Sequence, residues 1–198
     1  MALVNLTQPS SIVVTLDEAK SQCRLVSSDS THDTRLLEYI NRATASIETL
    51  TGARLQSQSV RLDLDAFPTG YYSKIDLGVY PVNAITSIKY DDTDNAEQTL
   101  VENTDYWVNL GGMYPCVQAV SYWPETKYAK PASVRITMSV GYYDGSPVTA
   151  VAPDDLRHAI LMRVKEFFDN SGESETQQTY ETVNSVEHLI AMHRRLPV

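Results

Sequence analysis

Cysteine is scarce: Cys23 and Cys116 are the only two in 198 residues, and they stand far apart. They form no metal or redox motif, and two buried free thiols in a reducing cytosol are expected. Basic charge is also short. Sixteen Lys and Arg face 25 Asp and Glu, for a net charge of −9 and a pI near 4.8. Gripping nucleic acid through its phosphates needs clustered cations, and these are scattered. An acidic surface instead suits a soluble protein, or one that must not stick to DNA passing close by. No run approaches the roughly 20 apolar residues of a membrane helix, so no membrane partner is expected. The opening MALVNLTQPSSIVV has neither a basic start nor a long apolar stretch, so no signal peptide is expected either. The eight glycines are dispersed and build no phosphate loop. Neither a Gly-x-Ser-x-Gly elbow nor a His-Glu-x-x-His pair is present, and no solenoid-length repeat recurs.

What is there is ordinary globular material, 42% apolar and 21% charged, arranged as helices, then strands, then helices. Thr15-Leu16-Asp17-Glu18 has the form of a capping box, and Leu16, Ala19, Cys23 and Val26 follow at helical spacing. After the polar SSDSTHD, the stripe Leu36, Ile40, Ala43, Ile47 and Leu50 predicts a helix of about four turns, stopped at Gly52. The period then changes to two. Val60, Leu62 and Leu64 alternate with Arg61, Asp63 and Asp65, and Ile75 and Leu77 with Lys74 and Asp76. Ile88 and Tyr90 lead into the polar turn DDTDNAEQ. Tyr106, Val108 and Leu110 follow, and Val134, Ile136, Met138 and Val140 make the clearest strand. Helical spacing returns at Pro153, with Asp154 and Asp155 at the positive end of the dipole. Leu156, Ala159, Ile160, Val164, Phe167 and Phe168 form its apolar face. The segment NSGESETQQTYET is nearly devoid of apolar anchors, and a short helix with Val186, Leu189 and Ile190 precedes HRRLPV.

This pattern predicts an α+β fold, a small helical bundle interrupted by an antiparallel β-sheet or sandwich. Residues 1–52 and 153–198 would form the bundle, 53–152 the inserted β region, and 171–198 a C-terminal arm.

Groups that could carry chemistry have plainer readings. Asp91, Thr93, Asn95, Glu97, Thr99 and Glu102 fit the count of a calcium loop, but Ala96 replaces the turn glycine and the flanks are strands, so a polar hairpin is expected. Asp63 and Asp65 share a strand face with Arg61, which reads as a wet sheet surface. His158 lacks a nucleophile partner at any telling spacing. Glu187, His188 and His193 do not share one helix face. No catalytic, cofactor or metal residues are assigned, and the chain is not expected to be an enzyme.

Aromatic usage is lopsided, with twelve Tyr against three Phe. Tyr71-Tyr72, Tyr142-Tyr143, Tyr122-Trp123 and Tyr128 fall at loops or strand ends. Tyr and Trp suit surfaces buried against a partner, so Tyr71, Tyr72, Tyr142 and Tyr143 are candidate subunit-interface residues. Half-buried sheet aromatics remain the alternative. The first half of the arm is too polar to pack alone, and its short helix is marginal in water. It is expected to be held by a neighbour, with folding back on its own bundle as the alternative.

Taken in order, VTLDEAKSQCRL, LLEYINRATASIETLTGARL, RLDLDAFP, YPVNAITSIKYDDTDNAEQTL with DYWVNL, VRITMSVGYYDG and VAPDDLRHAILMRVKEFFDN resemble the head–tail connector (adaptor) proteins of long-tailed DNA phages and related gene-transfer particles. The resemblance spans about residues 13–170. It implies a ring homo-oligomer, commonly a dodecamer, beneath the portal protein. The ring would extend the DNA channel and offer a platform for the next neck or tail protein, with DNA passing without specific binding. It implies location in the virion neck after synthesis in the host cytoplasm, and no cofactor. Leu189, Ile190, Met192, Arg194, Arg195 and Leu196 are then the candidates for docking on the portal or a neighbour. Two other functions stay open. One is a different neck component, such as a stopper or tail-completion protein. The other is a small ligand-binding protein using the tyrosine-rich β region.

Overall fold

Thr15 starts the first helix through the reciprocal bonds its sequence implies. The Glu18 amide donates to Thr15 Oγ1 at 3.3 Å and the Thr15 amide donates to Glu18 Oε2 at 2.7 Å, which satisfies two otherwise orphaned donors. The computed structural model describes residues 2–9, 11–142, 151–170 and 186–195. The chain divides into two units, Ser11–Leu55 with Tyr143–Val198, and Met1–Ser10 with Gln56–Tyr142.

The first unit is helical. Helix α1 (Leu16–Gln22) is shorter than its stripe. Arg24 takes a left-handed φ of 59°, which breaks the period and leaves Val26 exposed, while Ala19 and Cys23 are buried. Lys20 is buried too. Its ammonium lies 2.7 Å from Asp33 Oδ1 and donates to the Ser27 carbonyl at 3.1 Å. Helix α2 (Asp33–Thr51) buries Leu36, Ile40, Ala43 and Ile47, as the stripe predicts, whereas Leu50 lies at the exposed boundary. Gly52 caps it at φ 73°, its amide donating to the Glu48 carbonyl. Helix α3 (Asp154–Asp169) has Pro153 as its N-cap rather than in its first turn. It buries Leu156, Ala159, Ile160 and Val164. Phe167 and Phe168 are half-buried and meet the rings of Tyr39 and His32.

The second unit is a pair of antiparallel sheets. Strands β1 (Ala2–Asn5), β2 (Gln58–Leu64), β4 (Val82–Asp91), β5 (Glu97–Leu100) and β8 (Val134–Val140) form a five-stranded sheet in the order β1-β2-β8-β4-β5. Strands β3 (Lys74–Asp76), β6 (Tyr106–Asn109) and β7 (Cys116–Ala119) form a second sheet in the order β3-β7-β6. One core joins them: Val60, Leu62, Ile136 and Met138 from the first sheet pack in a single cluster with Ile75, Tyr106 and Val117 from the second. The fold is therefore α+β, with a β-sandwich. Residues 2–5, assigned to the bundle from sequence, instead add a strand at the β2 edge, with Leu3 opposite Leu62. Every β1 residue is exposed, so no face alternates and periodicity carries no signal for it. Strands β5 and β7, at four residues each, escape the pattern as well.

Of the two cysteines, Cys23 is buried as expected, whereas Cys116 is only half-buried because β7 alternates its burial and leaves that position on the outward face.

Candidate functional site

The acidic candidates Asp63, Asp65, Asp91 and Glu97 have partners within the β unit. The 91–102 segment is the β4–β5 hairpin. Asp92 Oδ1 accepts the amides of Asp94 and Ala96 at 3.0 and 2.9 Å, which is an Asx-type turn rather than a cation cage. Asp91 turns inward, nearly buried, and takes both guanidinium nitrogens of Arg135 at 2.9 and 3.0 Å, with the Lys130 ammonium at 2.7 Å. The Arg135 bonds, joined by Lys130, hold its carboxyl far below the usual carboxylate range. Arg61 pairs with Asp63 at 2.6 Å, and Asp65 accepts the Ala132 amide at 3.0 Å. His158 is exposed on α3. Among the described residues, no three His, Cys, Asp or Glu side chains are grouped so as to hold a metal ion.

The aromatics divide. Tyr71 and Tyr72, in the loop between β2 and β3, form one exposed group with two residues the interface reading left out, Tyr122 and Trp107. Tyr71 contacts Tyr72 and Tyr122 with ring centroids 3.9 and 5.0 Å apart, and Tyr72 stacks over Trp107 at 6.3 Å and 19°. The Tyr71 and Tyr72 hydroxyls share a hydrogen bond at 3.1 Å, and this pairing pushes the Tyr72 phenol up. Backbone bonds set the loop: the Tyr72 amide donates to the Ser121 carbonyl at 2.8 Å and the Ala119 amide to that of Ser73 at 3.1 Å. Tyr142 belongs to the other sheet, just past β8. It is half-buried, and burial pushes its phenol up. Tyr143 lies outside the described residues. Trp107 is findable from alternation alone, since its neighbours Tyr106 and Val108 are the inward pair of that strand.

An open groove of about 700 Å³ runs along the sandwich, walled by Phe67, Pro68, Tyr122, Trp123, Pro124 and Tyr128. Two of its polar groups are engaged. The Trp123 indole N–H donates to the Ser73 carbonyl at 3.1 Å, and the Lys127 ammonium to that of Thr93 at 2.8 Å.

The terminal segment separates the docking candidates. Residues 186–190 are helical and Ala191–His193 form a 3₁₀ turn. Val186 and Ile190 are buried within the helical unit, and the Arg195 amide donates to the Thr51 carbonyl at 2.8 Å. His193 Nε2 lies 3.3 Å from Asp155 Oδ2. Leu189 is half-buried, Arg194 is exposed and Met192 is 85% exposed. Ile190 thus serves its own unit, and Met192 and Arg194 are the ones presented outward. Leu196 and residues 171–185 lie outside the described residues.

No curated protein sequence matches the chain. Solved structures do. The neck of an empty gene transfer agent (GTA) particle computed with C6 symmetry contains a chain of 21% identity, TM-score 0.79, matched over 100% of this chain and 97% of that one. The virion of a native GTA particle gives 20% and 0.75, and the neck of the native particle with C12 symmetry gives 21% and 0.72, at the same coverages. These likenesses establish a shared fold along the whole length. At the level of family, residues 13–104 match the model of the phage gp6-like head–tail connector proteins.

Proposed function

We propose that this chain is a structural connector subunit in the neck of a phage-type particle. Copies of it close into a ring below the portal, continue the DNA channel, and present a platform to the next neck or tail protein. The family match over residues 13–104 carries the reading, and it favours a connector over a stopper. Twelve copies fit a twelve-fold neck, and catalysis has no part in the reading. The chemistry of the described residues supports this, since the hairpin carboxylates Asp91 and Glu97 pair with Lys130 and Arg135 rather than converge on an open cleft. The acidic balance supports a passive channel, because a wall rich in carboxylates repels the DNA backbone. Portal docking falls to the outward residues Met192 and Arg194, together with Leu196. An apolar tip flanked by guanidinium groups suits a partner with a hydrophobic seat and an acidic rim. The test is removal of the chain from the particle-producing strain. DNA-filled heads without tails, restored by supplying the chain in trans, are expected; tailed and infectious particles in its absence would refute the reading.

A further inference from the structure

The outward face of the three-stranded sheet is nearly free of charge. From Tyr106 to Pro124 the chain has no Asp, Glu, Lys or Arg, and none from Ala66 to Ser73, although 21% of all its residues are charged. These two stretches meet in the group of Tyr71, Tyr72, Trp107 and Tyr122. Trp107 is 45% exposed and Tyr122 67%, so large apolar rings face water beside hydroxyls that can bond to a partner. In register, Trp107 lies opposite Gln118, and Gln118 opposite Lys74; the charges of this face, Lys74 and Asp76, are confined to its far edge on β3. The loop holds its shape at a backbone cost: Tyr72 sits at φ 54°, a conformation uncommon for a bulky residue and of the kind found at functional sites.

We infer that this aromatic face is where one copy of the chain meets the next, with Trp107 and Tyr122 as its anchors. The occupant follows from electrostatics. Each copy carries −9, so any contact between copies through the general surface brings carboxylates together. A neutral, amphipathic face lets two like-charged copies approach without that repulsion. Tyr and Trp are also the residues that supply most binding energy at such contacts. The inference rests on the ring reading, and it moves the interface from the paired tyrosines of the sequence to a face that includes Trp107 and excludes Tyr142.

The test uses the full chain. Assembly of wild type, Trp107→Ser with Tyr122→Ser, and Lys165→Ala as a surface control on α3 is followed by mass photometry and sedimentation against concentration. Circular dichroism melting checks each fold. The double variant is expected to need about tenfold more protein or higher for half-assembly, with melting close to wild type. A second measurement requires no variant. Trp123 is already buried, so acrylamide quenching of wild-type fluorescence reports mainly Trp107, and it should fall as the protein assembles. Rings that form normally from the double variant, with quenching unchanged on assembly, overturn the aromatic face while leaving the ring intact. A variant that assembles normally but no longer retains the downstream neck protein overturns it too, and assigns the face to that partner. Wild type that never self-associates, alone or on portal-bearing heads, removes the ring reading itself and this inference with it.

Discussion

Gly141 stands at φ +101°, and a Cβ there would lie 2.2 Å from the carbonyl oxygen of Gln56. That backbone cannot yield cheaply, because Gln58 opposite Val140 already fixes the β2–β8 register. Gly141→Ala therefore combines a disfavoured φ with a direct clash, and should cost more than about 2 kcal/mol. Gly112, at φ +77° with open space around it, isolates the first effect, so Gly112→Ala should cost about 1 kcal/mol. Urea midpoints measure both, and equal losses would show that the close approach at Gln56 is irrelevant. Asp91 gives a pH signature. Its carboxyl titrates below its ordinary value when folded, so the stability it contributes is complete above the unfolded pKa, near 3.9. That contribution is lost as pH falls through the folded value. Asp91→Asn should be less stable than wild type at pH 7, and the gap should narrow from about pH 4 downward. A gap independent of pH would contradict the ion-pair account.

At the scale of elements, the terminal segment behaves as part of the helical unit. Ile190 is 3% exposed, so Ile190→Ala should lower stability by about 2 kcal/mol or more, and deletion of residues 183–198 should lower the melting temperature of this unit. Met192→Asp with Arg194→Glu alters only outward side chains. Melting should stay within about 0.5 kcal/mol of wild type while attachment to portal-bearing heads is lost; retained attachment would free these residues from the docking role. Elements with one buried face are legible from their spacing alone. Val134, Ile136, Met138 and Val140 are all fully buried in β8, and the α2 stripe holds from Leu36 to Ile47. Strand β1 is not legible, since it buries neither face and is held by ladder bonds to β2 that leave no mark in composition. The aromatic face is half legible. Tyrosine dipeptides announce themselves, but the meeting of Trp107 and Tyr122 with Tyr71 and Tyr72 depends on the pairing of β6 with β7 and on the Tyr72–Ser121 bond, contacts remote in sequence. The same holds for the terminal docking candidates: the sequence shows that Leu189, Ile190 and Met192 are apolar, while only packing shows which of them points away.

For the whole molecule, charge and assembly are linked. In the proposed ring, about twelve copies at −9 would total on the order of −100, so closure would run against the ring's own field and short-range contacts would have to overcome it. Screening shortens that repulsion, with a Debye length of about 10 Å at 0.1 M salt. Added salt should therefore strengthen assembly, lowering the concentration for half-assembly between about 50 and 300 mM NaCl. A ring held by ion pairs between copies would weaken instead. The central claim, that the chain is a ring-forming neck connector, is tested most directly by cryo-electron microscopy of intact particles from the strain that encodes it. The account predicts a closed ring of this fold between portal and tail, with the DNA channel through its centre. A neck reconstructed without this chain, or with the chain at another location in the particle, would contradict it.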